Sequence, residues 1–165
     1  MDEPRTVFIL VTMTASSLTP MLTVKNAVAA IEFYREAFDA VEQARFTAPT
    51  GHVVAEMAID GLRFFVVDEN RDAFNLSPKS LDGTTVRINL IVDQPDATAA
   101  QAVDAGAREI FPVADQPYGL RQGRVADPDG HHWLIGKLLD DGRDSRSKIA
   151  LSCANLLPPA ARGVR

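Results

Sequence analysis

Two segments of this chain carry the same order of apolar and polar residues at an offset of 68 positions. The first reads MLTVKNAVAAIEFYREAFDAV and the second reads NLIVDQPDATAAQAVDAGARE. Leu22 and Val24 of the first correspond to Leu90 and Val92 of the second. A small domain is often a duplicated half that buries its apolar face against its twin. The repeat therefore predicts two similar modules that share one core.

Each repeat begins with a short apolar strand and continues into a helix. In the first helix, the apolar residues recur at spacings of three and four and so lie on one stripe that faces a sheet. The members of this stripe are Ala27, Ala30, Ile31, Tyr34 and Phe38. Residues 53–59 alternate instead, which predicts a half-buried strand with Glu56 on the same face as Val54 and Ala58. The segment LRFFVVDE is its hairpin partner, and the pattern as a whole predicts a twofold βαβββ arrangement.

The repeats divide the chain into one domain with two flanking segments. The domain spans residues 18–139, with modules at 18–69 and 86–139 and a linker at 70–85 that is rich in Asn, Ser, Pro, Asp and Gly. Residues 1–17 are predicted to be an N-terminal extension, and residues 140–165 a polar tail.

Charge and cysteine content exclude several function classes. The net charge of -5 argues against a surface that neutralises nucleic-acid phosphates, and no apolar run approaches the length of a membrane span. With a single cysteine, Cys153, the chain can form neither an internal disulfide nor a cysteine-rich metal site. We therefore expect a cytoplasmic protein without nucleic-acid or membrane partners.

Three segments resemble a known superfamily in their order and spacing. TPMLTVKNAVAAIEFYREAFDA, VVAEMAIDGLRFFVVDE and YGLRQGRVADPDGHHWLIG are similar to the vicinal oxygen chelate superfamily, and most closely to its PhnB-like branch. This superfamily contains glyoxalases, bleomycin and fosfomycin resistance proteins and extradiol dioxygenases. The resemblance implies an α+β fold in which two tandem βαβββ modules form a cup-shaped mixed sheet. It also implies a homodimer, because relatives often pair their sheets across subunits.

In the enzymes of this superfamily, His, Gln or Glu side chains from the first and last strands of each module hold a divalent metal ion. The resemblance carries those positions onto Thr19, Phe65, Arg87 and Leu134. Two of these side chains are apolar, and a guanidinium is permanently cationic and donates no lone pair to a metal. The PhnB-like branch often has two further histidines, at the positions of Val54 and Asn89 here. We therefore expect neither a metal site nor another cofactor.

Six residues are candidates for contact with a ligand in the cup: Glu56, Arg87, Asn89, Tyr118, Arg121 and Trp133. Glu56 lies mid-strand and could pair with Arg87, Asn89 or Arg121, either as a structural ion pair or in ligand recognition. Trp133 and Tyr118 could offer flat apolar surfaces to a ligand or could belong to the core. The adjacent His131 and His132 point to opposite faces of a strand and cannot both bind one ion.

Three functions remain open from the sequence. The first is metal-independent binding of a small organic molecule, of the kind that bleomycin-type resistance proteins use to sequester a drug. The second is a metal-dependent lyase, isomerase or dioxygenase of the glyoxalase type. The third is a structural or regulatory dimer without a ligand. The resemblance alone does not choose among them, since this fold hosts several activities and also drug binders without catalysis.

Overall fold

The computed structural model describes residues 17–139 and contains eight strands and three helices in that range. The first module comprises β1 (Met21–Val24), α1 (Ala27–Phe38), β2 (Val41–Thr47), β3 (Val53–Ile59) and β4 (Leu62–Asp68). The linker contains α2 (Pro78–Leu81), and the second module comprises β5 (Arg87–Ile91), α3 (Pro95–Asp104), β6 (Arg108–Asp115), β7 (Leu120–Ala126) and β8 (His132–Leu138). The predicted tail and, apart from Ser17, the predicted N-terminal extension lie outside the described residues.

The two modules form mixed four-stranded sheets with the same topology. Sheet 1 has the order β1-β4-β3-β2 and sheet 2 has the order β5-β8-β7-β6. In each sheet the first and last strands of the module are parallel neighbours, and the other neighbours are antiparallel. This confirms the fold predicted from the repeat, two tandem βαβββ modules.

Each sheet has one face that packs against a helix and an opposite face, which we call the helix face and the far face. In β3 the residues at odd positions from Val53 to Ile59 are buried against α1. Val54, Glu56 and Ala58 therefore lie on the far face of sheet 1, as the alternation predicts. On the same face, β4 places Phe65 opposite Glu56 and Val67 opposite Val54.

The helix faces of both sheets share one core. Trp133 of β8 is only 2% exposed, and its ring contacts three aromatic rings of the first module. These rings belong to Tyr34, Phe38 and Phe64, with centroid distances to Trp133 of 5.6, 4.7 and 5.9 Å respectively. Helices α1 and α3 also pack against each other. One continuous core therefore joins the two modules.

Asp127, in the turn between β7 and β8, links this core to the backbone. Its Oδ2 accepts hydrogen bonds from the Tyr34 hydroxyl (2.6 Å) and from the Trp133 indole N–H (3.2 Å). Its Oδ1 accepts the backbone N–H groups of Asp129 (3.0 Å) and His131 (2.9 Å). Burial, with the nearby charge of Asp127, raises the pKa of Tyr34 well above its ordinary value, so the phenol stays protonated and donates.

The segment between the modules is ordered around a buried serine. Ser77 is fully buried, and its hydroxyl donates a hydrogen bond of 2.9 Å to the Glu69 carboxylate. The Lys79 N–H, in helix α2, donates to the carbonyl oxygen of Asp129 at 2.8 Å. The linker therefore docks on the same β7–β8 turn that Asp127 organises. No helix within residues 17–139 is long and apolar enough to cross a membrane.

Candidate functional site

The far face of sheet 2 carries a strip of polar side chains from β5, from β7 and from the loop that precedes β7. Asn89 of β5 accepts a 3.0 Å hydrogen bond from the side-chain amide of Gln122 in β7. The Gln122 amide oxygen in turn lies 3.3 Å from the hydroxyl of Tyr118, which enters from the loop before β7. Gln122 and Tyr118 are both buried, with exposures of 3% and 5%. The structure thus brings two predicted site residues together through a glutamine that the sequence reading did not single out.

Arg124 extends this strip along β7. Its guanidinium carbon lies 4.6 Å above the centre of the Phe111 ring, a cation–π contact. Its Nε is buried and, within residues 17–139, has no hydrogen-bond partner. A buried donor without a partner costs about 1–3 kcal/mol, and more when the group is charged. Such a group in a native fold needs an explanation.

Four cationic or titratable groups lie close together on this face. In the strand register, Arg87 of β5 is opposite His132 of β8, His132 is opposite Ala126 of β7, and Ala126 is opposite Arg108 of β6. Arg124 lies two residues from Ala126 on the same face of β7. No arginine in this group forms an ion pair with a carboxylate of residues 17–139. The group is therefore a patch of positive charge around Ala126 that no carboxylate of the described residues neutralises.

The positive charge of this patch affects the pKa values of Arg124 and His132. Burial and the neighbouring Arg87 lower the pKa of Arg124, although a guanidinium stays charged at any physiological pH. Burial lowers the pKa of His132 as well, and Arg124, Arg108 and Arg87 act in the same direction while Asp127 opposes them. His132 is therefore predominantly neutral at pH 7, and the arginines supply the positive charge.

Two predicted site residues lie on the helix face of sheet 2 instead. Trp133 belongs to the core described above. Arg121 points toward α3, where it forms a bidentate ion pair with Asp96 (2.7 and 2.6 Å) and a further bond to Asp115 (2.8 Å). The same contact lowers the pKa of Asp96. The structure thus places Arg121 and Trp133, two of the candidates for ligand contact, on the helix face of sheet 2.

Glu56 lies on the far face of the other sheet. Its carboxylate pairs with Arg63 of β4, not with Arg87, Asn89 or Arg121. The side chain of Arg63 is 64% exposed, so this is a surface ion pair. Around it, the far face of sheet 1 is apolar, with Val54, Phe65 and Val67 half-buried.

The positions assigned by resemblance to metal ligands do not fit a divalent ion. Phe65 and Leu134 have no donor atom, and Arg87 adds positive charge to the patch described above. The hydroxyl of Thr19, just before β1, is a weak ligand by itself. Across residues 17–139, no three His, Cys, Asp or Glu side chains are grouped so that they could hold a metal ion.

An apolar groove of about 370 Å³ runs between β1 and β5. Met21 and Leu22 line one side, Val86 and Ile88 the other, and the linker closes it. His131 is the single ionisable residue in its lining. The Nε2 of His131 lies 2.8 Å from the carbonyl oxygen of Thr23, which only accepts, so Nε2 carries the proton and is already bound. The polar chemistry therefore lies on the far face of sheet 2.

Comparison with known proteins identifies similar sequences and structures. The profile of a family described as "Glyoxalase-like domain" matches residues 21–135. An uncharacterized protein of Mycobacterium tuberculosis is 41% identical over 140 residues, which cover 82% of this chain and 82% of that protein. The crystal structure of an Arabidopsis thaliana gene product is 30% identical, with a TM-score of 0.60 over 75% of this chain and 100% of its own.

A fosfomycin resistance protein of Listeria monocytogenes has a TM-score of 0.62, covering 80% of this chain and 100% of its own. At 18% identity, this likeness shows the shared fold alone.

Proposed function

The chain belongs to the glyoxalase-like domain family of the vicinal oxygen chelate superfamily, and on that basis we propose that it binds a small organic molecule without a metal ion. One observation carries the proposal. The positions at which metal-dependent relatives place their ligands hold Phe65, Leu134 and Arg87, side chains that suit an apolar or anionic molecule and have no lone pair to offer a metal ion. Within the superfamily we place the chain in the PhnB-like branch, because the AE of VVAEMAIDG and the YGLR segment are retained.

The far faces supply the two kinds of contact that such a ligand needs. Small-molecule sites are mostly apolar, with a few polar groups that fix the orientation of the ligand. Phe65 and Val67 of sheet 1 offer the apolar surface, and Asn89 and Arg87 of sheet 2 offer the polar groups. Because the side chains of Asn89 and Gln122 already form a hydrogen bond, little ordering is required when a ligand arrives.

We expect the purified protein to contain much less than one equivalent of divalent metal after dialysis against Zn, Ni, Mn or Fe and removal of free ions. Elemental analysis of the full chain measures this directly. A screen of small aromatic compounds by thermal unfolding should then give stabilising hits whose shifts in Tm are the same with and without a chelator.

Two results would contradict this expectation. One tightly held ion per chain would favour a metal-dependent enzyme of the glyoxalase type. Hits whose stabilisation disappears with the chelator would show that the ligand binds through a metal.

We further propose that the protein is a homodimer, formed through the far face of sheet 1. This face exposes apolar side chains, with Met21 62% and Phe46 64% accessible to solvent in the single chain. Large apolar side chains exposed on one face of a sheet are typical of an interface. In such a dimer, the far face of sheet 1 in one copy lies opposite the far face of sheet 2 in the other copy. The two faces together form a cup, with the unpaired cations of sheet 2 on one side.

The homodimer predicts that Phe46→Glu produces a monomer, since it places a charge in an apolar interface. Analytical ultracentrifugation of the full chain should show a dimer for the unmodified protein and a mass of one chain for the variant. Phe74→Glu is the matched control, because Phe74 is 93% exposed in the linker and away from both sheets. A monomeric unmodified protein, or equal dissociation by both variants, would refute the dimer.

A further inference from the structure

Arg124 is the most unusual charged group among the described residues. Its Nε atom is buried and has no hydrogen-bond partner within residues 17–139. We propose that the far face of sheet 2 binds the anionic end of the ligand, an oxyanion that Arg124 and Arg87 hold together. This inference rests on the function proposed above. The ligand class is thus an organic phosphonate, phosphate ester or carboxylate with an apolar body.

The arrangement of the strands brings the cations within reach of one oxyanion. Arg87, His132 and Ala126 occupy one row across β5, β8 and β7, and adjacent strands in a sheet are about 4.8 Å apart. The long side chains of Arg87 and Arg124 can therefore converge over this row. Ala126, which lies between His132 and Arg108 in this row, carries only a methyl group, so no long side chain separates the cations.

Oxyanions match this site in both charge and hydrogen-bond geometry. A guanidinium presents its N–H donors in a planar fork that binds carboxylate or phosphoryl oxygens in pairs. Asp127, whose charge acts on His132, already accepts four hydrogen bonds and faces the core. A cationic or neutral ligand would leave the charge of Arg124 uncompensated, whereas an oxyanion would compensate it. A phosphoryl group with two charges should bind more tightly than a carboxylate with one.

The test compares three probes that share one aromatic ring: phenylphosphonate, benzoate and the neutral benzamide. Calorimetric titration of the full chain at pH 8 keeps the phosphonate doubly charged and His132 neutral. We expect phenylphosphonate to bind at least tenfold more tightly than benzamide. The order of phenylphosphonate and benzoate then identifies the natural group as phosphoryl or carboxylate.

Arg124→Gln should weaken phenylphosphonate at least tenfold and leave benzamide unchanged. Arg121→Gln is the matched control, because it removes the same charge from the same strand on the opposite face and should leave both affinities unchanged. Arg124→Gln should leave the Tm of the ligand-free protein within a few degrees of its original value, because the loss of the cation–π contact with Phe111 is offset by the removal of a buried donor without a partner. A merely structural Arg124 would instead lower the Tm when replaced.

The outcomes separate this inference from the proposed function. If the three probes bind equally and Arg124→Gln changes none of them, the anion site is refuted while binding of an apolar molecule stands. If inorganic phosphate binds in an Arg124-dependent way but no aromatic probe improves on it, the anion site stands and the apolar ligand is refuted. If nothing binds and Arg124→Gln lowers the Tm, both are refuted.

Discussion

Replacing Asp127 with alanine is expected to lower the free energy of unfolding by about 3 kcal/mol or more. The carboxylate accepts four hydrogen bonds, and its loss leaves the Tyr34 hydroxyl and the Trp133 indole N–H as buried donors without a partner. Each unsatisfied buried donor costs about 1–3 kcal/mol. Urea unfolding followed by the fluorescence of Trp133, the single tryptophan of the chain, measures the change.

Two further variants locate the source of this effect. Tyr34→Phe keeps the packed ring and removes one donor, so it should cost about 0.5–1.5 kcal/mol, the net contribution of one hydrogen bond. Asp72→Ala removes a carboxylate from an exposed position in the linker and should change stability by less than about 0.5 kcal/mol. A loss below about 1 kcal/mol for Asp127→Ala would mean that water replaces the carboxylate and that the turn does not organise the core.

Trp133→Ala should cost about 3–5 kcal/mol, the usual scale for removing a large aromatic side chain from a core. The ring fills the space among Tyr34, Phe38 and Phe64, which come from two elements of the other module and cannot all move in to close the cavity. Circular dichroism during thermal unfolding is the appropriate measurement, because the variant contains no tryptophan. Variants that remain folded should bind the aromatic probes as tightly as the unmodified protein does.

Phe46→Ala is the comparison for Trp133→Ala. It also removes an aromatic ring from a strand, but Phe46 is 64% exposed in the single chain, so the monomer should lose little stability. If Trp133→Ala instead left stability unchanged and abolished ligand binding, Trp133 would belong to the binding surface, and the assignment of the helix face would have to be reversed.

The fold was predictable from the sequence because the repeat and the periodicity are strong local signals. The strand period of residues 53–59 predicted which residues share a face with Glu56, but not whether that face covers the helix. The partner of Glu56 could not be predicted, because Arg63 lies across a hairpin and its position depends on the register of β3 and β4.

The faces of β7 could not be assigned from the sequence, for a physical reason. This strand has buried residues on both faces, among them Leu120, Val125 and Ala126, so it contains no alternation that separates one face from the other. Arg121 and Arg124 differ by three positions and therefore lie on opposite faces, but only the pairing with β8 shows which one faces α3. The one signal in the sequence was that parity, and it stayed undecided because Trp133 could belong either to the core or to a ligand site.

The role of Asp127 was equally hidden, because the DPDG segment reads as an ordinary turn. Its function in the core depends on Tyr34, which is 93 residues away in the chain. Contacts of such separation leave no periodic signature in the sequence, whereas turn and strand patterns depend on near neighbours.

The shared core also limits how this protein could have arisen and how it can be divided. A gene duplication that joins two identical halves begins with two copies of the same apolar surface. In this chain the two modules are complementary. Trp133 belongs to the second module, and the three aromatic rings that surround it belong to the first. Neither half is now a domain in its own right, and an ancestral half must have found the missing surface in a second molecule of itself.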